Sequence, residues 1–362
     1  MREGARAMPS RTGRSSAAFV VPGSIDTKTG GYGYDRAVIA ALRERAWTIE
    51  IVELPGRYPQ PSDAERDAAA QALALLPTGT LAIVDGLALG ALPAQVLAEA
   101  SRLTIVALVH HPLADETGLS AADRERLAAS ERRALTAARH VIVTSQATAA
   151  GLSRYGVAAG SITVVEPGTD AAPQARGSGG PDVELLCVAS LVPRKGHDVL
   201  LRALAPLADE AWHLTCVGGL DHDPGWTATI RAQVHTLGLD DRVSLIGALG
   251  RSELDRRYDR ADVFVLPTWY EGYGMAVAEA LARGLPVVST ATGAIGDLVG
   301  DAAGRLVPAG DAAALSAALA PLLRDAALRA RLGAGAREAW GRMPSWIDAA
   351  VRTERVLEGA DG

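Results

Sequence analysis

ADVFVLPTWYEGYGMAVAEALARGLPVVST, residues 261–290, is the stretch whose reading decides the rest of the chain. It runs from a short apolar strand at 263–266 through a glycine-containing turn to a helix over 276–283, then to a second apolar strand at 285–289. Two acids mark it: Glu271 lies in the turn, and Glu279 follows eight positions later on the helix. A carboxylate buried beside a strand end is costly unless it receives hydrogen bonds, so the pair asks for a polar ligand such as a sugar. Gly272 and Gly274 let backbone amides come close to that ligand. Acids also open ordinary helices, where the dipole favours them, and on spacing alone that plainer reading stays open.

Working outward, 362 residues of which 48% are hydrophobic allow a large core and favour two domains over one. Cys187 and Cys216 sit inside apolar strand-like runs, which suits buried core residues in a reducing compartment and gives no disulfide framework. A formal charge of -6 argues against coating nucleic acid, although a local basic patch can still hold phosphate. Residues 1–16 carry Arg2, Arg6, Arg11 and Arg14 without an apolar segment, and the apolar run at 17–21 is too short for a signal segment or a membrane span. The expectation is a disordered tail over 1–16 and a cytoplasmic protein. Peripheral contact with the inner face of a membrane requires neither feature and stays open.

On the N-terminal side, AAFVV (17–21) reads as a buried strand, PGSIDTKTGGYG (22–33) as a loop and 34–45 as a helix. Such a strand, glycine loop and helix place backbone amides at the mouth of a parallel sheet. Gly30, Gly31 and Gly33 have neither dinucleotide GxGxxG spacing nor a GxxxxGK[ST] phosphate loop, and a tight turn without a ligand accounts for them equally well. WTIEIVEL (47–54), LAIVD (81–85), LTIVALV (103–109), HVIVT (140–144) and SITVVE (161–166) continue the strands, with helices at 63–76, 120–138 and 145–154. Branched apolar runs separated by helices indicate a parallel sheet covered on both faces, whose strand C-termini share one ligand-binding edge. HHPLADET (110–117) falls at that edge. His110 and His111 have no nearby cysteine and no HExxH spacing, so a hydrogen-bonding or acid/base role suits them better than zinc, with local backbone capping as the plain alternative. Asp115 and Glu116 are placed to help recognise an acceptor.

PGTDAAPQARGSGGPDV (167–183) has no periodicity and marks the domain boundary. A second series follows: strands at 184–190, 212–218, 243–247, 263–267, 286–290 and 304–308, and helices at 196–208, 226–237, 251–259, 276–283, 311–323 and 325–338. A crevice between two such sheets is the default ligand site. In LVPRKGHD (191–198), Arg194 and Lys195 stand at a helix start, where cations are unfavourable unless an anion such as a diphosphate joins them; a solvated turn is the alternative. The acids of Asp221-His222-Asp223 are spaced as in metal-dependent sugar transferases, but so short a feature is common in loops and no metal is assigned. ATGAIGD (291–297) reads as a glycine-rich loop able to offer amides to a ligand.

The combined pattern resembles the retaining nucleotide-sugar-dependent glycosyltransferases of family 4, the group 1 glycosyltransferases, over nearly the whole chain and most strongly from 184 to 308. Glu271 and Glu279, with seven residues between, look like that family's paired glutamates. The resemblance implies an α/β GT-B fold: two facing Rossmann-like domains with parallel sheets and an interdomain cleft. Its expected parts are a first domain at 17–170 on the acceptor side, a linker at 171–182, a nucleotide-sugar-binding domain at 183–340, and a C-terminal helix at 341–362 that crosses back. Trp340, Met343 and Trp346 would then fasten the two halves, with membrane anchoring as the alternative.

The resemblance further implies that Glu271 contacts the donor sugar and Glu279 the ribose, that Lys195 binds the diphosphate, and that Gly272, Tyr273, Gly274 and Met275 line the sugar and phosphate region. Gly31 would close over the site and His110, or its neighbour His111, would face the sugar. One departure stands out: where the family has Gly-Arg, this chain has Ala189-Ser190, so Ser190 occupies the usual arginine position and Arg194 is the candidate replacement. The family's Gly-Gly-x-Pro-Glu turn is also altered, to 292–297. The implied reaction is hexosyl transfer from a nucleoside diphosphate sugar to a hydroxyl of a sugar, lipid or small molecule, without an essential metal or other cofactor. A sugar-nucleotide hydrolase or isomerase, or a noncatalytic nucleotide-sugar-binding protein, would share the same glycine turns and acids. No nucleic-acid partner is expected, and the sequence carries no signal of oligomeric state.

Overall fold

The computed structural model describes residues 15–361. The reading of a tail over 1–16 lies outside the described residues apart from Ser15 and Ser16, and Ser16 already opens the first strand. The first sheet comprises β1 (Ser16–Pro22), β2 (Thr48–Leu54), β3 (Leu81–Asp85), β4 (Thr104–Val109), β5 (His140–Val143) and β6 (Ile162–Val164). Its strands are parallel, in the order β2-β1-β3-β4-β5-β6. It carries helices α1 (Gly30–Glu44), α2 (Asp63–Ala74), α3 (Gly86–Ala91), α4 (Pro93–Glu99), α5 (Ala121–Leu135) and α6 (Gln146–Leu152).

The second sheet comprises β7 (Val183–Val188), β8 (Trp212–Val217), β9 (Val243–Leu245), β10 (Val263–Leu266), β11 (Val287–Thr290) and β12 (Gly304–Val307). These too are parallel, in the order β12-β11-β10-β7-β8-β9. With them run α7 (His197–Leu204), α8 (Pro224–Thr236), α9 (Arg251–Arg260), α10 (Met275–Ala282), α11 (Ile295–Ala303), α12 (Ala312–Arg324) and α13 (Ala326–Trp340), and the last helix, α14 (Trp346–Asp361), returns to the first sheet.

The strands follow from their uninterrupted apolar runs, because a parallel strand buried on both faces has no solvent side to make polar. β1 shows the division: Ala18 and Val20 join the core on one face of the sheet, while Ala17, Phe19 and Val21 join the other. Ligands of open parallel sheets bind beyond the strand C-termini, where successive connections leave in opposite directions. That point lies between β1 and β3 in the first sheet and between β7 and β10 in the second. Both fall at the edge that carries the candidate residues. Among the described residues no helix is long and apolar enough to cross a membrane.

The boundary stretch has no helix or strand before β7 opens at Val183, yet it is pinned. Ala175 N donates to Arg283 O at 2.8 Å, and the amides of Arg176 and Gly177 both donate to Asp259 O. After α13, whose Trp340 packs on the second core, the chain returns and α14 covers the first sheet beside α1. There Ala349, Ala350 and Leu357 join Leu42 and Phe19, and the Trp346 ring meets Tyr34 edge-on at 5.9 Å. The outgoing and returning passages lie side by side: Thr169 N donates to Pro344 O at 3.3 Å.

Three helices differ from the sequence expectation. α3 and α4 are short and mostly apolar, so they show no stripe of 3.6-residue period, and α11 begins at Ile295, inside the end of the stretch read as a glycine-rich loop, and runs on to Ala303. α1 also begins earlier than expected, at Gly30, drawing the loop glycines into its first turn despite their poor helix propensity.

The loop after β4 rests on a buried acid. Glu131 of α5 accepts from Leu113 N at 3.0 Å through Oε2, while Oε1 is buried without a partner. Burial pushes this carboxyl up to about 7. Because the folded chain binds that proton more tightly than the unfolded one, the stability it contributes is full at low pH and is lost as pH rises through about 7. Glu131→Gln removes the titration. Between about pH 5 and about pH 8 the variant should gain ~1–3 kcal/mol over wild type in urea unfolding, and parallel pH profiles would refute the assignment.

Candidate active site between the two sheets

The switch point of the second sheet brings together the turn after β7 and the turn after β10. Lys195, in a 3-10 turn just before α7, forms an ion pair with the Glu271 carboxylate. Arg194 stands behind it, 3.9 Å from the same carboxylate oxygen. Its Nη1 donates to Tyr270 O at 2.9 Å, and its Nε donates to Glu116 of the first domain at 3.0 and 3.2 Å. Burial alone would raise Glu271, but Lys195 and Arg194 outweigh it and hold the carboxyl below its ordinary value. Burial pulls Lys195 down as well, with Glu271 opposing, so each partner keeps the other charged.

The segment from Gly272 to Met275 leads from Glu271 into α10, with Gly274 as N-cap and Tyr273 buried in the second core. Glu279 lies one turn into α10, where it accepts from Tyr258 Oη at 3.0 Å and lies 3.5 Å from Arg251 Nη1. Tyr258 is itself locked by stacking on Phe264 and by Arg283 over its ring. Ser190 follows the end of β7 and lies half-buried beside Gly218.

From the first sheet, His110 arrives at the end of β4. Its carbonyl accepts from Thr144 Oγ1 at 3.2 Å and from Thr148 Oγ1 at 3.4 Å. Nε2 of the ring lies 3.2 Å from Asp35 Oδ1 and 3.4 Å from Asp85 Oδ2. Tyr34 meets the ring edge-on, and Gly31 lies so close that an added Cβ would be 3.3 Å from it. Burial opposes a charged ring, yet Asp35 and Asp85 overcome it and push His110 up to about 10. Burial pushes Asp35 up to about 6, with His110 drawing it back. His111 turns elsewhere: its Nε2 is 3.6 Å from Glu116 Oε2 and its ring is 6.2 Å from that of Tyr270. Against the opposing effect of burial, His111 and Arg194 hold the Glu116 carboxyl down at about 2.

The halves touch without room for a side chain. A Cβ on Gly272 would lie 2.2 Å from His110 O, whereas one on Gly33 would make only an ordinary contact with Met275 of α10 at 3.6 Å. The residues singled out from sequence thus fall into two groups on facing sheet edges. Glu271, Lys195, Arg194 and 272–275 form one, with Glu279 farther along α10; His110 and Gly31 form the other.

Other expectations change. Asp115 and Glu116, read from sequence as placed to help recognise an acceptor, form ion pairs with Arg154 and Arg194. Asp223 caps α8 by accepting from Trp226 N at 2.9 Å, so the Asp-His-Asp run serves a helix start. Among the described residues two clusters could take a metal by donor type, Cys187-His197-Cys216 and Asp35-Asp85-His110. In the second, the nitrogen that faces the two carboxylates is Nε2, which would have to carry no hydrogen to bind an ion. The first lies wholly within the apolar core of the second domain.

Sequence reasoning missed Asp35, Asp85 and Tyr258. Two of them carried a signal: Asp85 ends an otherwise apolar strand, and Asp35 lies on the α1 face that buries Val38, Ile39 and Leu42. A charge in such a position needs a partner.

Two family models match the chain in succession from residue 36 to residue 339. Residues 36–172 match Glycosyltransferase Family 4, and residues 169–339 match Glycosyl transferases group 1. The chain belongs to glycosyltransferase family 4. It is 39% identical over 158 residues to the D-inositol 3-phosphate glycosyltransferase of Xylanimonas cellulosilytica, covering 43% of this chain and 37% of that protein. To the MMP alpha-(1->4)-mannosyltransferase of Mycolicibacterium hassiacum it is 30% identical over 272 residues, covering 71% of this chain and 65% of that protein. Both matches span less than two thirds of the relative's own length. Among solved structures, sucrose-phosphate synthase from Thermosynechococcus elongatus superposes with a TM-score of 0.81 at 23% identity, covering 96% of this chain and 99% of that one. Anabaena HepE in complex with UDP and glucose gives 0.78 at 17% identity, covering 95% and 100%. At such identities these likenesses establish the fold, the two-domain GT-B arrangement.

Glu271 is held from behind by the altered family turn. Ala294 N donates to Glu271 O at 3.3 Å, and Gly293 has φ +54° with its would-be Cβ 1.8 Å from that carbonyl oxygen. Gly293→Ala should therefore destabilise the fold by about 2 kcal/mol or more. Gly296→Ala, which meets nothing within 4 Å, should be neutral or stabilising by up to ~1 kcal/mol. Denaturant unfolding of both variants checks the contrast, and equal stabilities would sink it.

Proposed function

We propose that the chain transfers a hexosyl group from a nucleoside diphosphate sugar to an acceptor hydroxyl with retention of anomeric configuration. The observation that carries this reading is the buried Lys195 and Glu271 pair at the switch point of the second sheet, with His110 delivered opposite by the first. A donor diphosphate competes with Glu271 for Lys195, and the freed carboxylate then orients hydroxyls of the sugar. Amides at 272–275, at the positive end of α10, offer further hydrogen bonds to sugar and phosphate. Glu279, steadied by Tyr258, takes the ribose. As the bond from the anomeric carbon to the diphosphate oxygen breaks, negative charge grows on the leaving group, where Lys195 and the helix ends are aimed. The acceptor oxygen attacks from the same face and its proton passes to the departing phosphate. No protein nucleophile, metal or other cofactor takes part.

In this reading 183–340 holds the donor, 17–170 carries the acceptor side, 171–182 connects them and 341–362 ties the halves together. Ser190, standing where the family has arginine, leaves Lys195 as the cation nearest the diphosphate, and Arg194 bridges to Glu116 as a brace. The location proposed is cytoplasmic, supported by two buried, unpaired cysteines. Peripheral membrane contact enters only if the acceptor is a lipid, which an acceptor panel including lipid hydroxyls tests.

A donor-by-acceptor screen read by product mass and anomeric configuration tests the proposal. Glu271→Gln should lower kcat by ~100-fold or more. Glu279→Gln should instead raise the KM for donor, with a smaller change in kcat. Removing one partner of a buried pair costs about 3–5 kcal/mol, so rates are compared at a temperature where circular dichroism shows both variants folded. Unchanged turnover in Glu271→Gln refutes its role. Diphosphate release without acceptor would mark a hydrolase, and donor binding without turnover a sensor.

A further inference from the structure

We propose that Asp35 and Asp85 are positioning residues for the transfer: together they hold His110 as an imidazolium, its Nε2 hydrogen shared between their carboxylates, so that Nδ1 presents a second N–H toward the cleft. The inference rests on the reading of the site as a glycosyl-transfer centre. It begins from an excess of acceptors. One ring nitrogen faces two carboxylate oxygens, at 3.2 and 3.4 Å, from two different elements, α1 and the end of β3. Both acids are buried, so their charges are poorly screened by water, and a proton on the ring relieves both.

The remaining neighbours do not compete for that proton. Tyr34 presents its ring edge to His110 and donates its hydroxyl to Val165 O at 3.2 Å. Tyr32 donates to Pro22 O, and Arg36 directs its guanidinium to the carbonyls of Ile25 and Thr27. From the second domain, Gly272 packs on the His110 carbonyl and leaves the ring's acid pair untouched. An imidazolium fixed in this way is a hydrogen-bond donor and a positive charge. It is not a general base, so of the roles the sequence left open this arrangement favours hydrogen bonding over proton abstraction.

The two acids are unequal. Asp85 also caps α3, its Oδ1 accepting from Leu87 N at 2.8 Å, whereas Asp35 Oδ2 is buried without a partner. Asp35 is therefore the acid whose charge is least satisfied and the one that takes up the next proton, at about pH 6. Activity that needs the cation persists below the His110 value near 10 and is lost as pH rises through it. An acid limb near 6 marks protonation of Asp35.

The test combines 15N NMR of the His110 ring with pH profiles of kcat and KM for wild type, Asp35→Asn and Asp85→Asn. In wild type the ring should carry two protons at neutral pH. In Asp35→Asn it should lose its charge near neutrality, kcat should fall roughly 10-fold or more with KM little changed, and the alkaline limb should move down toward neutral pH. A neutral His110 ring in wild type overturns the proposal, as does an Asp35→Asn protein with wild-type kcat and pH profile. Selective broadening of the His110 signal by added Mn2+ also overturns it, in favour of a cation site. If Asp35→Asn fails to fold, the wild-type ring titration and the Asp85→Asn profile decide by the same criteria. Should no donor and acceptor pair turn over, the transfer reading fails on its own, while the NMR titration still decides the state of the ring.

Discussion

The site depends on a pair of opposite charges placed where water is scarce. An isolated lysine or glutamate at the junction of β7 and β10 would cost several kcal/mol to bury, so Lys195 and Glu271 are each tolerable only because the other is there. The consequence runs through the local chain. Gly293 must bend in the left-handed region to pass close to the Glu271 carbonyl and bring Ala294 N onto it, and Arg194 must aim past the pair to Tyr270 O and Glu116. A pair held this way is also exchangeable: in the proposed reaction a diphosphate substitutes for the carboxylate and a sugar hydroxyl for the ammonium, with no charge left bare at either end.

Contact between the halves is built from groups that belong to the same site. Gly272 lies against the His110 carbonyl, Arg194 reaches Glu116, and the His111 ring lies beside that of Tyr270. The chain crosses between the domains at two neighbouring places, near Thr169 and Pro344, while α14 secures the return by packing with α1. Motion about such paired crossings would separate every one of those contacts together. Opening for ligand exchange and disassembly of the site are then one event, as expected where a cleft between separately cored domains must admit its substrates.

The strands were legible because a parallel sheet buried on both faces writes itself as continuous apolar runs, and all of the strand positions read from sequence appear within a residue or two. Helices α3 and α4 were not, since short apolar helices lack the alternation of buried and exposed positions that betrays longer ones; α11 does alternate, but Gly296 and Gly300 disguise it as a loop. In the site, Glu271, Glu279 and Lys195 could be singled out because their spacing is local. The partner of Arg194 could not: Glu116 is 78 residues away, and only the folded chain brings it near. Asp35 and Asp85 fall between these cases, since each is visible as a charge in an apolar setting but finds its meaning in His110.

In the proposed reading, Ser190 at the position where the family has arginine changes where positive charge must come from. Near the proposed diphosphate the second domain offers Lys195, while Arg194 is balanced by Glu116 and Lys195 by Glu271, so the side chains there sum to no net charge. The positive ends of α7 and α10 supply part of the deficit, each worth only a fraction of a unit charge. With His110 held as a cation, the first domain supplies more. Charge compensation for the leaving group would then be completed by closure and not by the donor domain alone, which ties the missing arginine to the two buried aspartates on the opposite sheet.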